Sequence, residues 1–180
     1  MKRWIVIGIF LLGAVAVNAQ EKLAFSKVIK ADSVSADGIF VSIKEWLSME
    51  FKRGNDAIEL EDKEAGLIVA KGNYPYRKKG IMYMWAEGKL VYTINIQIRD
   101  GRFKVTLTNF KLMRGEKQYD DAFGVLTTEE VFTEKGAGKK QYNEVWKDTK
   151  IIAQGISEDW FNRFASIEFQ NYKKDTSEDW

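Results

Sequence analysis

The sequence contains no cysteine and no histidine, and it has a single proline. Without cysteine the chain can form no disulfide and has no thiol nucleophile, so its fold must depend on a buried core. Without histidine it lacks the usual general base of Ser-His and Cys-His catalysis, and also the commonest zinc ligand. We therefore expect a protein that is not an enzyme and that holds no cofactor and no metal.

The first 19 residues have the pattern of a secretory signal peptide. A basic start at Lys2 and Arg3 is followed by an apolar stretch that is shorter than the roughly 20 residues needed to span a bilayer. We expect cleavage between Ala19 and Gln20; an uncleaved membrane anchor is the alternative. Because no later stretch is apolar enough to cross a membrane, the mature protein is expected to be periplasmic or extracellular, without a transmembrane segment.

Charge in the chain is nearly balanced, with 28 basic and 26 acidic residues. Removal of the predicted signal peptide takes away Lys2 and Arg3 and leaves 26 basic residues against 26 acidic ones. Proteins that bind nucleic acid need an excess of basic residues to neutralise phosphates. Nucleic acid is therefore not an expected partner.

The segment from Leu90 to Leu112 alternates apolar and polar residues on both sides of Asp100-Gly101. A two-residue Asp-Gly connection is typical of a type I′ turn, in which both central residues take positive φ. The segment predicts an antiparallel hairpin with one apolar and one solvent-exposed face. The predicted apolar pairs are Ile98 with Phe103, Ile96 with Val105 and Ile94 with Leu107; the polar pairs are Arg99 with Arg102, Gln97 with Lys104, Asn95 with Thr106 and Thr93 with Thr108.

A strand and a helix are expected near the start of the mature chain. Loose alternation from Leu23 to Ala31 predicts the strand. Ser33 or Ser35 is suited to cap the helix, which Gly54 should end. Apolar residues recur at helical spacing between cap and glycine, namely Ile39, Phe40, Ile43, Trp46, Leu47 and Phe51.

Two more strands are expected between this helix and the hairpin. Ala57 to Glu61 alternates, and Leu67 to Tyr74 is apolar on both faces near its start. Pro75 should end the second strand because proline cannot donate to the hydrogen-bond ladder. The core domain is thus expected to cover residues 20–112.

Residues 113–138 are expected to form a polar link to a helical C-terminus. Thr127 to Glu130 has the form of a capping box and predicts a short helix that runs toward Lys135. Gly136 to Lys140 resembles part of a phosphate-binding loop, but it lacks the leading glycine and has Lys140 at the magnesium-ligand position, so a linker is favoured.

Residues 139–172 have apolar positions at helical spacing, and residues 173–180 are expected to be a charged tail. Gly155 interrupts the pattern, which leaves open one kinked helix or two helices that pack on the sheet. The apolar stripe is expected to be core rather than interface. Aromatic residues nevertheless cover more than one face of this region, so the alternative for part of it is packing on a second copy of the chain or on a partner. The whole pattern predicts an α+β fold: an antiparallel sheet in β-α-β-β-β-β-α order with helices on one face.

Three segments resemble a known family: KEWLSMEFK (Lys44–Lys52), IELEDKEAGLIVAKG (Ile58–Gly72) and IRDGRFKVTLTNFK (Ile98–Lys111). A tryptophan helix, an acidic turn with glycine and a hairpin follow one another as in the secreted bacterial domain of unknown function described as TBP-like. The resemblance extends from Phe25 to Leu112. It implies a TATA-binding-protein-like fold and an envelope setting, but no activity, and a name that describes shape gives no reason to expect DNA binding.

The acidic residues Glu59, Glu61, Asp62 and Glu64 lack the spacing of a calcium loop and are more typical of a solvated strand edge and turn. A stronger functional signal lies in the apolar segment before the hairpin. Methionine and aromatic side chains offer adaptable contact area, and such a segment between strands often marks a partner site. The candidate partner-contact residues are Tyr76, Met82, Tyr83, Met84 and Trp85. The alternative is an extra strand or a flap that closes the core.

These features favour a non-enzymatic binding or assembly module that recognises an envelope protein or a glycan. The alternative function is a hydrolase based on carboxylates or a Ser-Lys pair, or a lipid-handling protein. A cleft with convergent polar groups would favour that alternative.

Overall fold

The structure is a computed structural model that describes residues 20–51, 57–114, 121–132 and 138–169. Within these ranges the strands are β1 (Phe25–Lys30), β2 (Ala57–Asp62), β3 (Leu67–Tyr76), β4 (Gly88–Arg99) and β5 (Arg102–Arg114). The helices are α1 (Ala36–Glu50), α2 (Lys139–Ala165) and a short 3₁₀ helix (Ile81–Ala86) between β3 and β4. This order confirms the predicted α+β arrangement. The predicted signal peptide, including Ala19, lies outside the described residues.

The described strands form one antiparallel sheet in the order β1-β5-β4-β3-β2. The hairpin register is confirmed from the Arg99–Arg102 pair outward to the Thr93–Thr108 pair. Beyond that pair a β-bulge shifts the register, and Asn109 takes a φ of 54° there. A bulge bends its strand and changes the direction of nearby side chains.

The turn of the hairpin is not type I′, contrary to the sequence prediction. Gly101 takes a φ of 70°, but Asp100 is not in the positive-φ region. The loop before α1 explains the difference. The Ala36 N–H donates to the Asp100 carboxylate at 2.7 Å, and the Gly101 N–H donates to the Val34 carbonyl at 2.9 Å. These contacts hold the turn against the start of α1, so the tertiary structure selects the turn backbone.

Both helices pack on one face of the sheet. The apolar hairpin residues named above are buried there against Ile39, Ile43 and Leu47 of α1. Ser35 is the N-cap of α1, because its side chain accepts a hydrogen bond from the Gly38 N–H at 3.2 Å. The predicted end of this helix at Gly54 lies outside the described residues.

Helix α2 is continuous through Gly155 and ends at Ala165, earlier than the predicted boundary at residue 172. Its core-facing aromatic residues are Trp146, Trp160, Phe161 and Phe164, and all four are buried. These rings are therefore used within the fold. Among the described residues, no helix is long and apolar enough to cross a membrane.

Two local predictions are wrong. β3 continues through Pro75, which pairs with Lys89 of β4, to Tyr76. Within the described residues β2 pairs with β3 only as far as Lys71, so β3 is an edge strand at Pro75, where proline is tolerated. The capping-box segment forms no helix between residues 121 and 132. Instead Thr127 forms a β-bridge with Lys22, so extended pairing with the N-terminus replaces helix formation.

Candidate binding surface

The 3₁₀ helix divides its side chains between solvent and protein. Ile81 is 84% exposed, Met82 58% and Met84 66%. We call these three residues the platform. A 3₁₀ helix has three residues per turn, so Ile81 and Met84 lie on one side of it. Ala86 at its end is fully buried, so the segment is fixed to the fold while the platform faces solvent.

Trp85 fixes the 3₁₀ helix to α2. Its ring stacks on Tyr142, with the ring centres 4.2 Å apart and the planes 23° apart. The edge of Phe123 meets Trp85 at a centroid distance of 6.1 Å. Aromatic pairs in such geometries stabilise a fold beyond their buried area. Trp85 is therefore partly buried, and its ring packs within the fold.

Tyr83 forms a second attachment. Its hydroxyl donates a hydrogen bond to the carboxylate of Glu144 on α2. The Lys78 ammonium lies 5.1 Å from the centre of the Tyr83 ring, within the range of a cation–π contact. The hydrogen bond to Glu144 is the main cause that raises the pKa of the Tyr83 hydroxyl. The neutral phenol is thus held as a donor.

Tyr76 is the most buried of the five predicted contact residues, with 2% of its surface exposed. Its hydroxyl donates to Asp148 of α2 at 3.1 Å, and the Lys78 ammonium donates to the same carboxylate oxygen at 3.1 Å. Burial, followed by the charge of Asp148, raises the pKa of Tyr76 well above its usual value. This buried network joins the end of β3 to α2.

The five predicted contact residues therefore separate into two groups. Met82 and Met84 are exposed, whereas Tyr76, Tyr83 and Trp85 anchor the segment from below. Ile81 belongs to the exposed group but was not among the predicted residues. Its place next to the methionines in the sequence is the signal that would have included it.

The acidic residues around the β2–β3 turn are engaged in local contacts. Glu59 forms an ion pair with Lys71, and the Glu61 carboxylate lies 2.6 Å from the ammonium of Lys44. Asp62 accepts a hydrogen bond from the backbone of the turn. Within the described ranges, no group of three or more metal-ligating side chains is arranged to hold an ion. Of the loop that resembled a phosphate site, residues 136 and 137 lie outside those ranges.

The polar face of the hairpin carries a shallow depression of about 380 Å³. Arg99, Arg102 and Lys104 line it, next to the exposed apolar side chain of Val28. None of the three cations forms an ion pair with another described residue. This face is solvated and basic, and differs from the platform in chemistry and in position.

A family model described as a domain of unknown function (DUF4468) with TBP-like fold matches residues 25–112. Residues 25–112 belong to this family. The match ends before α2, so the helix that anchors the platform lies beyond the segment that the DUF4468 model covers. No curated protein matches the chain.

Two solved structures share a fold with this chain. A TBP-like protein from Parabacteroides distasonis aligns with a TM-score of 0.54 at 14% identity, over 82% of this chain and 95% of the other. A DUF4468 family protein from Bacteroides ovatus aligns with a TM-score of 0.53 at 18% identity, over 87% and 95%. At these identities the similarity establishes the fold alone.

Proposed function

We propose that this protein is an exported, non-enzymatic binding module that holds a protein of the cell envelope on the platform. The observation that carries the proposal is the exposure of Ile81, Met82 and Met84 on a segment whose remaining side chains are anchored. Contiguous exposed apolar side chains mark interaction sites, and methionine suits them because it adapts to the partner surface. A rigid base reduces the ordering cost of binding.

The charges beside the platform support a partner with an acidic rim. The residues before the 3₁₀ helix are Arg77, Lys78 and Lys79. Lys78 pairs with Asp148 and Arg77 with Glu87, whereas Lys79 forms no ion pair with a described residue. A complementary carboxylate on the partner would steer encounter and fix orientation. The proposed partner therefore presents an apolar centre flanked by acidic side chains.

A non-enzymatic role is supported by what the polar groups under the platform do. The carboxylates of Glu144 and Asp148 each accept a hydrogen bond from a tyrosine hydroxyl. These two bonds join β3 and the 3₁₀ helix to α2. They are structural contacts, and the absence of histidine and cysteine from the chain removes the commonest catalytic partners.

Export is supported by the predicted signal peptide and is tested by mass spectrometry of the protein recovered from its native host. We expect the mature chain to begin at Gln20. Recovery of a chain that retains residues 1–19 would contradict cleavage.

The binding role is tested by site-specific photo-crosslinking in native envelope preparations. A photoreactive residue replaces Ile81 in one variant and Thr106, on the opposite face of the sheet, in a matched control. We expect a discrete protein adduct from position 81 only, and its loss when Met84→Glu is added. Met84 is mostly exposed, so this added change should leave the fold intact, which a thermal melt checks.

Lys79→Glu in the same photoreactive background tests the acidic rim, and it should reduce the yield of that adduct. Adducts that are identical at positions 81 and 106, or that persist with Met84→Glu, would overturn the platform as the binding surface.

A further inference from the structure

A second surface lies between the end of β3 and the second half of α2. It is a groove of about 440 Å³, a volume in the range of small-ligand sites. Its main lining residues are Tyr74, Tyr92, Gly155, Asp159, Trp160 and Arg163. The groove shares none of the platform residues and none of the carboxylates that anchor them.

Tyr74 gives the groove an exposed aromatic ring. Side chains alternate along a strand, so Tyr74 belongs to the same face as Ala70 and Tyr76. Both of those residues are buried under the helices, yet Tyr74 is 47% exposed. An aromatic ring on the helix-covered face is thus left open to solvent at this one point of β3.

The inner wall of the groove is rigid. The indole N–H of Trp160 donates to the hydroxyl of Tyr92 at 2.8 Å, and both side chains are buried. The Tyr92 ring lies over Gly72, where a Cβ atom would come within 2.5 Å of it. The β-bulge in β4 and β5 occurs at Tyr92, and bulges direct side chains next to functional sites.

The rim of the groove presents a hydrogen-bond donor, Arg163, next to an acceptor, Asp159. The Arg163 guanidinium lies 4.7 Å from the centre of the Trp160 ring and also binds Glu50 of α1. Its Nη1 lies 3.7 Å from the Asp159 carboxylate. Arginine only donates hydrogen bonds and aspartate only accepts them. Because Arg163 already pairs with both Glu50 and Asp159, a charged ligand would have to displace an existing ion pair, whereas a neutral hydroxyl can use the remaining hydrogen-bonding capacity of these groups.

Gly155 is an exposed residue that lines the groove on the side of α2. Glycine inside a helix is unfavourable relative to alanine, and proteins usually tolerate it where a close neighbour leaves no room for a side chain. Here a Cβ atom would meet nothing within 4 Å. Packing therefore gives no reason for the glycine. Gly155 lines the groove one turn before Asp159, so we infer that a larger residue at this position would narrow the groove.

We propose that this groove binds a neutral saccharide of one or two rings. A sugar ring has a face of C–H groups, which packs on an aromatic ring such as Tyr74, and a rim of hydroxyls that both donate and accept hydrogen bonds. Arg163 and Asp159 supply those two functions side by side. Gly155 leaves room for the ring. The site goes beyond the proposed protein-binding role and does not depend on it.

The test is a ligand-observed NMR titration of the mature protein with maltose, cellobiose, lactose and N,N′-diacetylchitobiose. We expect at least one of them to bind with a dissociation constant of about 1 mM or tighter. Gly155→Leu should abolish binding without lowering the melting temperature, because the added side chain enters open space. Tyr74→Ala should weaken binding by about tenfold or more, as loss of a stacking contact of roughly 1.4 kcal/mol would.

Met84→Ser is the matched control at the platform, and it should leave saccharide affinity unchanged. Failure of all four disaccharides to bind would overturn the proposal, and so would binding that survives Gly155→Leu. Loss of binding in Met84→Ser would place the sugar on the platform instead. The crosslinking experiment at position 81 is independent of each of these results.

Discussion

Tyr74 and Tyr76 stand two residues apart on the same face of β3, yet 47% of the first is exposed and 2% of the second. The sheet and α2 run past both residues. The difference comes from the 3₁₀ helix, which closes over Tyr76 and brings Trp85 and Tyr83 onto α2. No comparable segment covers Tyr74 among the described residues. A single insertion between two strands therefore determines which part of the seam between β3 and α2 is closed and which is open.

The two parts of the seam also differ in how α2 uses its side chains. Beside Tyr76, the carboxylates of Glu144 and Asp148 are engaged by tyrosine hydroxyls. Beside Tyr74, the helix presents Gly155, which has no side chain, and Asp159, which is mostly exposed and forms an ion pair with Arg163 of the same helix at 3.7 Å. Buried groups that satisfy one another stabilise the fold, whereas exposed groups remain accessible to a ligand. The closed part is expected to respond to mutation in stability and the open part in binding.

Trp85→Ala, in the closed part of the seam, should lower the free energy of unfolding more than the other substitutions. It removes the stack on Tyr142 and the contact with Phe123, and truncation of a well-packed aromatic typically costs about 3–5 kcal/mol. Because Trp85 is only partly buried, we expect a loss of about 2–3 kcal/mol in the free energy of unfolding, measured with urea. The matched control Met84→Ala should change it by less than about 0.5 kcal/mol. Equal losses in the two variants would mean that the platform itself belongs to the core.

Tyr76→Phe should have an intermediate effect. It removes a hydrogen bond to a carboxylate, and such bonds contribute roughly 1.5–3 kcal/mol. Because Lys78 remains bound to Asp148, we expect a loss of about 1.5 kcal/mol at pH 7, obtained from denaturant unfolding of the two proteins. A loss near zero would show that the hydroxyl contributes nothing to the closed seam.

The same pair of proteins gives a pH test. The pKa of Tyr76 is raised in the folded state, so above about pH 10 the unfolded chain loses its phenolic proton while the folded chain retains it. The stability advantage of the wild type over Tyr76→Phe should therefore be constant below about pH 10 and should decrease as pH rises beyond it. An advantage that grows with pH in unfolding experiments from pH 7 to 11 would contradict the buried hydrogen bond.

Gly155→Ala should have the smallest effect and the opposite sign. It replaces a helix-interior glycine where a Cβ atom meets open space. Helix propensity predicts a gain of about 0.5–1 kcal/mol in the free energy of unfolding. Thermal or urea unfolding measures it. A destabilised variant would mean that the glycine is needed for packing. Gly155 would then no longer support the proposed saccharide site.

The sequence predicted the parts of the fold that depend on local periodicity. The hairpin register followed from the alternation around Asp100-Gly101, and the core face of α1 followed from helical spacing. The turn type could not be predicted in this way, because contacts from the α1 loop to Asp100 and Gly101 determine it. Likewise the capping-box sequence at Thr127 is used in a β-bridge with Lys22, a partner 105 positions away.

The candidate sites were less predictable than the fold. The platform was found in outline because methionines in an apolar loop are visible in the sequence, but the anchoring roles of Tyr76 and Trp85 depend on α2. The groove joins Tyr74 to residues about 80 positions later, and no local pattern connects them. The clearest signal in the sequence was Gly155, which the helical pattern marked as an interruption and the structure places in an unbroken helix.

The seam between β3 and α2 is closed at Tyr76 and open at Tyr74, and the platform is exposed. Hydroxyl-radical footprinting of the free mature protein, quantified by mass spectrometry, tests this arrangement most directly. The two tyrosines have the same intrinsic reactivity and serve as an internal pair. We predict that Tyr74 oxidises several times faster than Tyr76 and that Met82 and Met84 oxidise readily. Equal rates at Tyr74 and Tyr76 would contradict the account.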